Sequence, residues 1–256
     1  MLQGCFKIAL NALRTANGGD ASLLYAVSFN YAVGLERLLK VILLLDCWNC
    51  DGKFPSDEEL KRHGHDVRIL FDSVRKLRPK YKIEHDERLE PDALDWKILN
   101  FLAEFAKSSR YFNLCTLGGS SRTVDPLAKW VQLIDEIYLK DIPSGRRVTN
   151  EAEVVAFVSA IKGYVTSMSS TSLDGEPQSY VESSQEHERM VIVLPEICWR
   201  LVKMLVPLKA LLVAIRRTAH EKDGSLDEET SIPFMEEFLD FVCKDKEIVL
   251  KSSDWP

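Results

Sequence analysis

Apolar residues recur at intervals of three and four along almost every long segment of this chain, the period of an α-helix rather than of a strand. The clearest case spans Asp20 to Asp46, where Leu24, Val27, Tyr31, Leu35, Leu38, Ile42 and Leu45 form one stripe and Phe29, Val33, Leu43 and Leu44 line the opposite side. Such a helix is about 40 Å long. With apolar residues on two sides it needs several partners, as the middle of a bundle or as half of a dimer interface.

Shorter helices surround it in the pattern. Asp57 predicts a cap for a helix over Glu58–Lys61, and another starts near His65 and runs to Leu77, where Pro79 prevents continuation. After Pro91, Leu94, Ile98, Phe101, Leu102 and Phe105 make a stripe. Asp125 before Pro126 is a start signal for Leu127–Leu139, and Asn150 with Glu153 three residues on resembles a capping arrangement for a helix running to about Ser167. Residues 166–187 are rich in Ser and Thr and lack periodicity, which predicts a long flexible loop. Leu194, Ile197, Leu201, Leu205, Leu208, Leu212 and Ile215 mark the next helix, and Ser231 with Pro233 starts a last one through Val242. Only EIVL near residue 248 reads as a strand. The expected fold is all-α, an antiparallel helical bundle with residues 1–120 as its core and further helices of 121–256 packed on it.

At 256 residues and 46% hydrophobic, the chain can bury a sizeable core. The apolar run Met190–Ile215 is broken by Pro195, Glu196, Arg200, Lys203, Pro207 and Lys209, so it reads as a core helix and no membrane is called for. A formal charge of −6 gives no general attraction to nucleic acid, and any phosphate contact requires a local basic cluster. Six cysteines scattered through helical patterns, with no signal peptide opening the chain, favour a reducing cytosol.

The chemistry-bearing groups are few. Cys47, Cys50 and His63 have part of a zinc-finger spacing, but His65 follows His63 too closely to close a tetrahedron, and the expectation is no metal and no cofactor. Glu36 and Lys40, four apart on the long helix, share a face with Phe29, Val33 and Leu43; a charge there needs a partner, for which Arg110 is the candidate. Gly64-His65-Asp66 marks a turn into a helix, with Asp66 in the first turn, and His65 is a candidate acid/base because it is a histidine. Arg216 and His220, one turn apart, are placed to meet a common phosphate or to favour a helix C-terminus, and Arg146-Arg147 reads as a solvated loop.

The segments GLERLLK (34–40), GHDVRILFDSV (64–74) and FLAEFAKSSRYFNL (101–114) together resemble the HEPN superfamily, helical domains named for higher eukaryotes and prokaryotes nucleotide-binding, over about residues 20–115. That resemblance implies an antiparallel bundle, commonly a homodimer, often in bacterial toxin–antitoxin, defence or stress systems. Many members are metal-independent ribonucleases that use an Arg, four to six residues and a His at a helix end. Here Arg78 and His85 have six residues between them, but Pro79 and the polar stretch around it argue for a loop, and Arg216 and His220 have only three. What carries over is the cluster Glu36, His65, Asp66, Arg110 and Asn113, as a site without an assigned role. Two expectations follow: a non-catalytic binding or assembly module, dimerising through the long helix, with a protein or RNA partner; or a metal-independent endoribonuclease with His65 as acid/base, Arg110 or Arg216 holding phosphate and Glu36 orienting the arginine.

Overall fold

In the computed structural model of the chain, helices α1 (Leu2–Thr15) and α2 (Ala21–Asp51) pack as a hairpin. Gly34 makes this approach close: a Cβ there would stand 3.1 Å from the Phe6 ring and 3.2 Å from the Cys5 side chain. The structure describes residues 2–16, 21–62, 64–108, 111–119, 125–161, 170–172, 177–223, 232 and 235–255. Among them the fold is all-α, as its periodicity predicts. The one exception is an antiparallel pairing of Ser170–Thr171 with Pro177–Gln178.

After α2 come α3 (Asp57–Arg62), α4 (Val67–Arg75), α5 (Ala93–Lys107), α6 (Phe112–Leu117), α7 (Pro126–Asp141), α8 (Ser144–Ile161), α9 (Tyr180–Asp223) and α10 (Lys246–Lys251). The predicted stripe of α2 is buried at every position from Leu24 to Leu45, and so is that of α9. α2 is enclosed by α1, α4, α5 and α9. On its other side Phe29 is exposed while Val33, Leu43 and Leu44 are half-buried. That enclosure accounts for the buried stripe of α2 within one chain, while its other side is only partly covered.

Helix direction departs in part from the expected antiparallel order. Ion pairs Lys129–Glu104, Lys97–Glu136 and Lys140–Asp92 run down α5 as they run up α7, so these two are antiparallel. The two longest helices are not. The Tyr31 hydroxyl donates to the Leu201 carbonyl (2.8 Å) and the Asn49 amide to the Ile215 carbonyl (3.0 Å), so α2 and α9 run side by side in one direction. The core they share extends from Phe6 to Trp255 and crosses residue 120 without a break.

Several local expectations are corrected. Ser56, not Asp57, caps α3: its N–H and hydroxyl donate to the Glu59 carboxylate, whose own N–H returns a bond to Ser56. Helix α8 starts at Ser144, so Asn150 is no cap but a buried mid-helix residue, and Arg146-Arg147 lie on the first turn. The last eight residues of the predicted loop, from Tyr180, are already α9, started by a reciprocal Ser179–Glu182 box. Glu236–Leu239 is a single 3-10 turn in place of the last predicted helix, whose start at Ser231 and Pro233 lies outside the described residues. EIVL belongs to α10, which Asp245 caps.

Candidate functional site

Gly64, at φ +68°, takes the chain through the left-handed turn that its lack of a side chain permits, and Asp66 then caps α4 by accepting from the N–H groups of Arg68 and Ile69. Asp66 is therefore the cap itself, not a first-turn residue. That turn sets His65 against α2, where Nδ1 lies 2.8 Å from Glu36 Oε1; Lys40 Nζ reaches the same oxygen at 2.7 Å. Burial alone raises the Glu36 pKa, but hydrogen bonds and charge from Lys40 and His65 outweigh it and hold the carboxyl below its ordinary value. Glu36 and Lys40 are each 22% exposed and His65 83%. With Nδ1–H donated to Glu36, the imidazole turns Nε2 to solvent.

The remaining predicted site residues do not join this cluster. Arg110, expected to partner Glu36, and His63 lie outside the described residues, as does the Asn113 side chain, though Asn113 stands within α6. Arg216 is buried and desolvation lowers its pKa, while His220 is half-buried a turn further on. They are level with Asn49, which receives a bond from Lys222 to its carbonyl, and 13 residues from Glu36, about 20 Å along α2. Cys47 and Cys50 sit a turn apart at the end of α2, and Lys80 donates to Cys50 Sγ (3.1 Å). Among the described residues no group of three or more His, Cys, Asp or Glu is placed to hold a metal.

A second cluster, at the other end of α4, holds the pair that the sequence reading set aside. Arg78 donates to Glu90 Oε1 (2.5 Å), His85 Nδ1 lies 3.2 Å from the same oxygen, and Arg75 donates to Oε2 (2.7 Å). Pro79 does place these residues outside a helix, but the turn is built to bring them together. Ile83 N–H donates to the Arg78 carbonyl and Lys82 N–H to the Pro79 carbonyl, the two bonds of a Schellman close, with Lys82 at φ +51° where glycine is usual. A lysine in that conformation costs about 1 kcal/mol. The turn is pinned to α2 by Tyr81, whose hydroxyl donates to Asp46 (2.6 Å), and by Lys80, which donates to the same carboxylate (2.5 Å). Hydrogen bonds from Arg78 and Arg75 overcome the effect of burial and keep the Glu90 carboxyl below the usual range.

These groups line an open cleft of about 500 Å³ with Lys76, Ile83 and Asp72. The signal for it was the run RKLRPKYK (75–82), five cations in eight residues, in an otherwise acidic chain. Also unforeseen is a buried network. Asp95, fully buried, accepts from Arg200 (2.6 Å) and Lys203 (2.7 Å), and Arg200 also reaches Asp141 and Asp92, tying α5 and α7 to α9. Its centre, Asp95 with Arg200 and Lys203, is buried while Asp92 reaches the surface, and the network acts as a structural clamp.

Comparison with protein-family models, with curated proteins and with solved structures finds no match in any of the three. The chemistry of the chain therefore rests on its own geometry. No helix among the described residues is long and apolar enough to cross a membrane.

Proposed function

We propose that this protein is a helical binding module of HEPN-like type whose cleft at the end of α4 takes a phosphate-bearing ligand, with single-stranded RNA as the ligand class. The observation that carries this reading is the convergence of Arg75, Arg78 and His85 on one carboxylate inside an open cleft. Guanidinium forks match the oxygens of a phosphodiester as they match those of Glu90. Glu90 then acts as an internal stand-in that the ligand displaces, and the basic run supplies the local attraction that a net charge of −6 denies to the rest of the surface.

A second reading uses the same cleft for metal-independent cleavage. Arg78 and His85 have the spacing that the HEPN likeness associates with ribonucleases, and an imidazole beside a guanidinium supplies an acid/base and a cation for developing phosphate charge. Its acid/base is His85 rather than His65, because His85 shares its carboxylate with arginines.

Labelled single-stranded RNA, incubated with the full chain in chelator at low salt, separates the two. Binding that weakens at least tenfold in Arg78→Ala and strengthens in Glu90→Gln, with the RNA intact, supports the module. Cleavage lost in His85→Ala supports the enzyme, and absence of binding at low salt overturns both.

A further inference from the structure

Helix α8 is held to the fold almost entirely by α9, and between them lies a cleft of about 580 Å³, within the range of small-molecule sites. Asn150, Glu153 and Phe157, spaced three and four apart, present one face of α8 to it. Tyr180 and Glu188 present the facing side of α9.

Asn150 is the decisive residue. It is 7% exposed, lines the cleft, and its side-chain amide has no hydrogen-bond partner among the described residues. Its amide opens to the cleft rather than to another protein group, so a ligand seated there meets an unshared donor and acceptor. The lining also states the sign of that ligand. Among the described residues Glu153 and Glu188 have no cationic partner, no lysine or arginine lines the cleft, and His187 is the one basic group lining it. An anion is repelled there. The two rings, Phe157 (58% exposed) and Tyr180, offer faces that attract a cation and cover an apolar body.

We infer that the α8–α9 cleft is a binding site for a small organic cation, an amine carried on an apolar or aromatic body, with Glu153 and Glu188 meeting the ammonium, Phe157 and Tyr180 the body, and Asn150 a polar group of the ligand. The site is separate in residues and in charge preference from the basic cleft at the end of α4, so either reading stands without the other.

The probe is dansylcadaverine, whose fluorescence rises and shifts to the blue on entering an apolar site, titrated against the full chain beside dansyl n-pentylamide, which has the same body and no amine. Saturable binding of the amine, at least tenfold tighter than that of the neutral dye, is the expected result. It weakens at least fivefold in Glu153→Gln/Glu188→Gln, a change of half-exposed and exposed residues that leaves the fold intact by circular dichroism, and again in Asn150→Leu. Equal binding of the two dyes, binding indifferent to the double glutamine variant, or no binding of the amine at millimolar concentration overturns the inference.

Discussion

Asp95 is a fully buried charge that ties two helices together. It stands in the first turn of α5, where its carboxylate completes a capping box by accepting from the Asp92 N–H, and it meets two cations of α9 at the same time. Charges sealed from water gain from each other only while every partner is in place. Asp95→Asn leaves Lys203 without its carboxylate and is expected to lower the unfolding free energy by about 3–5 kcal/mol, read in urea melts. Asp95→Leu/Lys203→Met, which removes the buried carboxylate with its ammonium and leaves Arg200 paired with Asp141 and Asp92, is expected to cost less than Asp95→Asn alone. The signs of this network lay open in the sequence as Arg200 and Lys203 within an apolar run, yet one sequence cannot name the partner of a buried charge that lies about a hundred residues away. The Glu36–Lys40 pair was legible because both members share one helix; the arrival of His65 followed from the Gly64 turn.

At the scale of the element, α4 is nine residues long and owes its placement to its ends. A helix this short is marginal by itself, and its apolar side, Val67, Leu70, Phe71 and Val74, is fully covered in the fold. Asp66 satisfies two of the N–H groups at its start. Asp66→Ala is expected to cost about 1 kcal/mol in stability and to loosen His65 from Glu36, seen as a change in the His65 imidazole resonances by NMR while those of His85 hold. The helix stripes were readable because burial on one side imposes a period that survives in the sequence. Ends were read less well: Ser56 and Ser179 begin helices through a glutamate three residues on, whereas Asn150 and Glu153 show the same spacing in mid-helix and face a cleft instead. Spacing alone does not tell a cap from two residues on one helical face.

For the molecule as a whole, the central fact is that α9 lies against α2 rather than over a finished core. Tyr31, Leu35, Leu38, Leu39 and Ile42 are buried, and hydrogen bonds from Tyr31 and Asn49, with one returned by Lys222, tie α2 to α9. Residues 1–120 alone leave this face uncovered. That fragment is expected to show helical circular dichroism with poorly dispersed amide resonances, and to bind an anionic hydrophobic dye more strongly than the full chain does. Direction was the property of the whole least available in advance, because hydrophobic period places a face toward the core but is blind to which way a neighbour runs.

The partnership of α2 and α9 spans 170 residues, from Tyr31 to Leu201. Contacts between such distant parts of a chain form only after a large loop closes, and loops of that size close late. A growing polypeptide has therefore made all of α2 long before α9 exists, and the face that α9 will cover stays in water throughout that wait.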